Sequence, residues 1–406
     1  MGYYDIPILY IPFKRLSIVE EVFNQIKAMK PSRLYIAQDG PRDEDEAKAL
    51  EDVINFILNN VDWDVKLHIF KSNQNNGPNL FIYKAINWFF ENEERGIIIE
   101  EDGFSTKTYF DFAKNLLEKH DKDKEVYAIC GFSAFSKNDN AKCDYFYSNI
   151  NFAPWVFATW KDRWTKFDFE LQNIDSFDFI YNVYKNKIMA NIMMSYANII
   201  VKNIEEFKDK ITWDLKFRFT IQHNNGHCLF PRQNLIKHLD FDSLHSTSFH
   251  QDTWLNNIEE YIEIGEYDFQ KFIACKENDT INQRYFEFLE KDILFSIISP
   301  KACNKIENIL KNSNEIYIYG AGFFSYIFYS AYKYLLKEKL IAFIDDNKNG
   351  YILDKKVISS KDLKDNTTMI LVVSRSNYVN NILEKLKNTY RGKIIILKDI
   401  LKEANQ

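Results

Sequence analysis

Residues 96–104 read GIIIEEDGF, in which three isoleucines are followed directly by three acids. A short, continuous apolar run of this kind is typical of a strand that is buried on both faces of a parallel sheet. The acids would then lie at the carboxyl end of the strand, where the loops of an α/β sheet meet their ligands. This stretch therefore predicts both a fold class and the position of a site.

Similar apolar runs occur on both sides of this stretch and alternate with helical patterns. The other predicted strands of the N-terminal half are 6–11, 33–38, 65–70 and 126–130. The predicted helices are 17–30, 43–59, 79–93 and 107–119. Because strands and helices alternate, we expect an α/β fold with a mainly parallel sheet and helices on both faces.

Polar residues follow each of four predicted strands. Arg15 follows the first strand, Asp39 the second, residues 75–79 the third, and the acids 100–102 the fourth. Parallel strands end at the same edge of a sheet, so these groups should converge. The sequence thus predicts one site built from four loops.

The three adjacent acids suggest a cation. Glu100, Glu101 and Asp102 repel one another unless a positive charge lies close to them. Their hard oxygen ligands suit Mg²⁺ or Mn²⁺, and such an ion can bridge to a diphosphate. The alternative is a solvated acidic turn at a helix N-terminus, which the helix dipole favours. The residues alone leave both interpretations open.

The string IIEEDGF at 98–104, with YFDF at 109–112, resembles the acidic signature of N-acetylglucosaminyltransferase I and its bacterial relatives, which are glycosyltransferases of the GT-A type. The resemblance implies Asp102 as the ligand of Mn²⁺ or Mg²⁺, and Glu101 near the ribose or sugar of the donor. The family usually has Asp where Glu101 stands. It further implies an inverting hexosyl- or N-acetylhexosaminyltransferase that uses a UDP-sugar donor and a glycan or lipid-linked saccharide acceptor in bacterial surface polysaccharide assembly.

Two more motifs agree with this family, in the family's order. IPFKR at 11–15 resembles the end of its first strand and implies that Arg15 contacts the nucleotide. QDGPR at 38–42 resembles its second-strand motif, in which Asp39 accepts a hydrogen bond from uracil. A plain turn at residues 39–41 is the alternative.

WVFATWKDRW at 155–164 resembles a bacterial glycosyltransferase signature that normally reads Trp-Gly-Trp-Ala-Thr-Trp, followed by Arg-Trp. The resemblance implies that Trp160, or else Trp155, lines the sugar pocket. Val156 and Phe157 replace the expected Gly and Trp. The alternative is that these aromatic rings belong to the core.

ITWD at 211–214 resembles the family's Trp-Asp motif and implies that Asp214 is the catalytic base, which takes the proton of the acceptor hydroxyl. The alternative for Asp214 is a cap at the start of the following helix. FPRQNLI at 230–236 and the later His245 resemble the segment that closes the site.

A second βαβ pattern begins with EIYIYGAGFFS at 315–325 and has two acids, Asp345 and Asp346, after its next strand. It resembles the small Rossmann-like nucleotide-binding domain appended to sugar-modifying enzymes, although Ser325 stands at the third glycine position. We therefore expect a GT-A domain over 1–250, a helical connector over 251–312, and a Rossmann-like binding or oligomerisation domain over 313–406.

The composition of the chain limits the classes of partner that we expect. The formal net charge of −6 gives no overall basic field, so nucleic acid is not expected as a partner. Five scattered cysteines without a CxxC spacing predict neither a disulfide framework nor a zinc site, and favour the cytoplasm. The N-terminal sequence lacks a signal-peptide pattern, and no apolar window approaches ~18 residues. Peripheral membrane association and homo-oligomers remain open.

Other functions remain open as well. A sugar nucleotidyltransferase would carry a Gly-rich loop after the first strand, where IPFKRLS stands. A non-catalytic nucleotide-sugar-binding or scaffold protein would use the C-terminal domain. An NAD-dependent oxidoreductase is supported only by the Gly-Ala-Gly turn at 320–322.

Overall fold

A computed structural model describes residues 4–133, 143–174, 176–239, 273–275, 298–364, 367–372, 376–387 and 389–404. The chain forms two units, one of residues 1–174 and 211–285 and the other of residues 175–210 and 286–406. His245 and most of the predicted connector lie outside the described residues. The predicted boundaries at 250 and 312 stay predictions.

The strands of the first unit are β1 Ile8–Ile11, β2 Arg33–Gln38, β3 Lys66–Lys71, β4 Arg95–Glu100, β5 Gly103–Ser105, β6 Val126–Cys130, β7 Tyr145–Ser148, β8 Val156–Trp160, β9 His227–Pro231, β10 Ile236–His238 and β11 Ala274–Cys275. The strands of the second unit are β12 Ile316–Tyr319, β13 Leu340–Ile344, β14 Gly350–Ile352, β15 Lys355–Ile358, β16 Thr368–Leu371 and β17 Lys393–Ile396.

The helices, in chain order, are α1 Leu16–Met29, α2 Glu44–Asn60, α3 Gly77–Asn92, α4 Lys107–Lys119, α5 Lys161–Trp164, α6 Phe177–Tyr184, α7 Lys187–Val201, α8 Trp213–His223, α9 Pro300–Asn312, α10 Phe323–Ala331, α11 Lys333–Leu336, α12 Ser376–Leu386 and α13 Leu397–Ala404. Two 3₁₀ helices span Glu205–Lys210 and Ser360–Asp362. Every predicted strand and helix named above has a counterpart.

The main sheet of the first unit has nine described strands in the order β11-β7-β9-β6-β8-β4-β1-β2-β3. Strands β4, β1, β2 and β3 run parallel to one another. Ile97, Ile98 and Ile99 in β4 are fully buried, as their continuous apolar run predicts. The α/β fold class is therefore confirmed. The antiparallel strand β8, which separates β4 from β6, was not predicted.

A charged cluster connects the loop after β1 to the start of α2. Asp43 caps the helix, because its side chain accepts the backbone N–H of Glu46 at 2.8 Å. The buried Glu46 carboxylate in turn accepts Lys14 Nζ at 2.9 Å and Arg42 Nε at 2.9 Å. Hydrogen bonds from Arg42, together with those from Lys14, lower the pKa of Glu46 to about 2.

We predict that Glu46→Gln destabilises the first unit at neutral pH. A lowering of the Glu46 pKa to about 2 corresponds to about 3 kcal/mol, and solvent screening around the exposed Arg42 should reduce this to about 1–2 kcal/mol. A lowered pKa stabilises the fold above the ordinary glutamate pKa, and this contribution disappears as the pH falls towards about 2.

Urea unfolding at pH 7 and pH 3 checks this prediction. Tryptophan fluorescence reports on the first unit, since all seven tryptophans lie within residues 1–174 and 211–285. The gap in unfolding free energy between wild type and Glu46→Gln should shrink at pH 3. An equal gap at both pH values would contradict the assignment.

The second unit contains a six-stranded sheet in the order β14-β15-β13-β12-β16-β17, which is parallel except for β14. Helix α7 packs on α10 in this unit. The rings of Tyr196 and Phe323 stack at 5.8 Å, and Tyr326 donates its hydroxyl to the carbonyl of Ser195 at 3.1 Å. No local pattern predicts that α7 packs with a strand–helix unit more than 100 residues further on.

The cysteines differ from the sequence expectation at one pair. Cys143 and Cys275 form a disulfide, with their Cα atoms 5.6 Å apart. The neighbouring strands β7 and β11 bring them together, although 132 positions separate them in the sequence. In the described ranges, no helix has the length and apolar character needed to cross a membrane.

Candidate active site

The loop after β1 meets the acids after β4 through Arg15. Its Nε atom lies 2.5 Å from Glu101 Oε2, and its Nη2 atom lies 2.8 Å from Asp102 Oδ2. Burial alone would lower the pKa of Arg15, but the two carboxylates outweigh it and raise the pKa. One guanidinium therefore balances two of the three adjacent acids.

Glu101 holds the loop that carries Arg15. Its Oε1 atom accepts the backbone N–H of Phe13 at 3.1 Å and that of Arg15 at 2.8 Å. The residue is 8% exposed. A carboxylate that accepts backbone N–H groups and faces a guanidinium is strongly fixed. The position of Glu101 beside a donor ribose or sugar stays a prediction.

Among the described residues, no cation pairs with Glu100. Its Oε1 atom is buried and finds no hydrogen-bond partner among the described residues. Burial raises the pKa of Glu100 well above its ordinary value, and the charges of Asp102 and Asp214 raise it further. Glu100 is thus close enough to Asp214 to feel its charge, although more than 100 positions separate them in sequence.

Asp214 lies in the first turn of α8, at the same edge of the sheet. Burial raises the pKa of its carboxyl, while a hydrogen bond from Thr212 and the charge of Arg218 lower it, and the net shift is upward. A raised pKa makes a carboxylate a better proton acceptor near neutral pH. The role of Asp214 as the catalytic base stays a prediction.

Asp39 follows β2 and faces the turn after β3. Its carboxylate accepts the backbone N–H groups of Asn76 and Gly77 at 2.9 and 3.0 Å, and the side-chain amide of Asn76 at 2.8 Å. A Cβ atom at Gly40 would lie 2.4 Å from the backbone of Gln74, so only glycine fits here. A contact of Asp39 with uracil stays a prediction.

The two tryptophans lie at opposite ends of β8. Trp160 pairs with Arg95 at the amino end of β4, is 2% exposed, and packs 4.2 Å from the guanidinium of Arg163. The structure therefore does not bring Trp160 together with the acids. Trp155 is half-buried at the carboxyl end of β4, where its carbonyl accepts the N–H of Glu100 at 3.0 Å.

A short strand lies beside the acidic turn. β10 pairs with β5, and the N–H of Leu239 donates to the carbonyl of Asp102 at 2.9 Å. The hydroxyl of Thr106 donates to the carbonyl of Leu235 at 3.0 Å. This strand includes Ile236, the last residue of the motif that resembles the closing segment of the family.

The donor atoms decide whether a metal ion fits. Within the described ranges, no group of three or more His, Cys, Asp or Glu side chains could hold an ion by itself. At phosphate sites, however, one or two carboxylates share the ion with oxygens of the substrate. Asp102 and the partnerless Glu100 Oε1 atom are ligands of this type. These residues thus fit a divalent ion whose remaining ligands come from a diphosphate.

The glycine turn of the second unit connects β12 to α10. Gly320 has a φ of +101°, a conformation that favours glycine. The N–H of Ala321 donates to Asp345 Oδ2 at 3.1 Å, and Lys348 donates to the carbonyl of Ala321 at 3.1 Å. The Gly-Ala-Gly turn at 320–322 is present, and Asp345, at the end of the neighbouring strand, accepts one of its backbone N–H groups.

No protein-family model and no curated protein matches the chain. Similar solved structures include the mannosyltransferase PcManGT from Pyrobaculum calidifontis in complex with GDP-Man and Mn²⁺, at 11% identity over 55% of this chain and 70% of that chain, with a TM-score of 0.31. Another is the 4-diphosphocytidyl-2C-methyl-D-erythritol synthase from Anaerococcus prevotii, at 12% identity over 42% and 78%, with a TM-score of 0.28. TM-scores this low do not establish a common fold.

We predict that Glu101→Gln destabilises the first unit by about 1–3 kcal/mol, because it removes one charge from a half-buried ion pair. Glu94→Gln is the matched control, since the Glu94 side chain is 84% exposed and pairs with Lys161 at the surface. Urea unfolding followed by tryptophan fluorescence compares the two variants. Equal stabilities would show that Glu101 does not hold the loop.

Proposed function

We propose that this chain is a glycosyltransferase that moves a hexose or N-acetylhexosamine from a UDP-sugar to a glycan or lipid-linked saccharide in bacterial surface polysaccharide assembly. One observation carries the proposal, namely that Asp214 lies close enough to act electrostatically on Glu100, the first of the three acids at the carboxyl edge of a parallel sheet. Sugar transfer needs a charged group on the diphosphate side of the donor and a base on the acceptor side. This edge has candidates for both.

The donor would bind where the loops after β1, β2 and β4 converge, as ligands do in open α/β sheets. Arg15 and Asp39 are the proposed nucleotide contacts, and Glu101 keeps the loop of Arg15 in place. Asp102, with Glu100 beside it, would hold Mn²⁺ or Mg²⁺. When bound, the ion would offset the charge of the diphosphate.

The proposed sugar transfer needs one proton acceptor. The acceptor oxygen forms a bond to the anomeric carbon, and its proton passes to Asp214. The bond from the anomeric carbon to the phosphate oxygen breaks, and UDP leaves with the electron pair. Attack from the face opposite to UDP inverts the anomeric centre. The raised pKa of Asp214 suits a group that must accept this proton.

We predict that Asp214→Asn lowers kcat by about 10²–10⁴-fold, because general-base catalysis contributes about that much. Donor affinity should stay within about threefold, since Asp214 contacts the acceptor side in this proposal. The measurement is UDP release from a panel of UDP-sugars and saccharide acceptors. The exposed Asp209→Asn is the matched control and should behave like wild type.

Other outcomes of this assay identify other functions. A wild-type rate in Asp214→Asn would remove it as the base. Release of pyrophosphate instead of UDP would indicate a sugar nucleotidyltransferase. Donor binding without any turnover would indicate a nucleotide-sugar-binding scaffold.

The second unit is proposed as a binding or oligomerisation module. Its parallel strands follow the order β15-β13-β12-β16-β17, and the strand order reverses between β12 and β16. A crevice at such a point commonly takes a ligand. The glycine turn at Gly320 lies at this point, which supports a binding role.

A further inference from the structure

Helix α8, which carries the proposed base, lacks a side-chain hydrogen bond from its own N-cap residue. Thr212 is the N-cap residue, but its side chain makes no capping hydrogen bond to the helix backbone. Burial raises the pKa of the Asp214 carboxyl, and the Thr212 side chain offsets part of that rise as a hydrogen-bond donor. The first N–H groups of a helix have no backbone acceptor within the helix, so that of Trp213 needs a partner from elsewhere.

Asn79 supplies that partner from another loop of the sheet. Its Oδ1 atom accepts the N–H of Trp213 at 2.8 Å, and its Nδ2 atom donates to the carbonyl of Ile211 at 3.3 Å. The amide thus holds the backbone on both sides of residue 212. It reaches across 134 positions of sequence to do so.

The position of Asn79 depends on the turn after β3, to which the Asp39 carboxylate is hydrogen-bonded. Helix α3 begins at Gly77, and its N-cap residue Asn76 makes no side-chain capping bond. The Asp39 carboxylate accepts the N–H groups of both residues instead. Asn79 lies in the first turn of this helix, so the Asp39 carboxylate fixes the place from which Asn79 reaches α8.

We propose that Asn79 is a positioning residue for Asp214, and that Asp39 supports it through the first turn of α3. This inference rests on the proposed role of Asp214 as the base. Both polar atoms of the Asn79 side chain already bond to the backbone around residue 212, so its effect on the reaction comes through Asp214 and not through a contact with substrate.

The test compares kcat and KM for Asn79→Leu and Asn79→Asp. Leucine removes both hydrogen bonds, and a misplacement of about 1 Å can cost about 10²-fold in rate. We expect kcat to fall by about 10–100-fold, with the donor KM within about threefold. Aspartate keeps an acceptor for the Trp213 N–H, so Asn79→Asp should recover much of the lost rate.

Two further variants separate positioning from a general loss of fold. Asn92→Leu makes the same change at the other end of α3, where the Asn92 side chain is exposed and donates to the Trp88 carbonyl, and it should leave kcat unchanged. In an Asp214→Asn background, Asn79→Leu should cause no further loss, since the group it positions is gone. A fold defect would add to the loss.

The outcomes distinguish this inference from the proposed function. If Asp214→Asn keeps the wild-type rate, the proposed base fails and the inference fails with it. If Asp214→Asn loses activity while Asn79→Leu keeps the wild-type kcat, only the role of Asn79 is overturned. A loss in Asn79→Leu that persists in the Asp214→Asn background would also overturn it.

Discussion

The ion pairs from Arg15 to Glu101 and Asp102 are the interaction on which the candidate site depends. Three adjacent acids at the end of a buried strand repel one another, and a guanidinium between two of them lets the turn form. The same contact fixes the loop after β1, because the Glu101 carboxylate also accepts two of its backbone N–H groups. The arrangement of the loops at the carboxyl edge of the sheet therefore depends on the neutralisation of these acids by Arg15.

Much of the fold could be predicted from local patterns. The strands predicted at 33–38 and 126–130 match β2 and β6 to the residue, because a continuous apolar run bounded by polar residues marks a buried strand. The convergence of Arg15 with the acids followed from parallel strands ending at one edge. These inferences needed only the spacing of apolar residues and the geometry of a parallel sheet.

What the sequence could not predict depends on contacts between distant segments. Strand β8 enters antiparallel beside β4, and this direction places Trp155 near the acids and Trp160 at the opposite edge. In the sequence, nothing distinguishes Asn79 from the other polar residues after β3, because its partners at 211 and 213 belong to a helix start far along the chain. The pairing of Cys143 with Cys275 likewise requires two strands that only the fold brings together.

The proposed function requires that the carboxyl edge of the first sheet bind a nucleotide sugar together with a divalent ion. Isothermal titration of UDP and UDP-sugars, each with and without Mn²⁺, on wild type and Asp102→Ala tests it most directly. We predict binding that depends on Mn²⁺ and is lost in the variant. Binding that needs no metal, survives Asp102→Ala and maps to residues 313–406 would contradict it and place the ligand in the second unit.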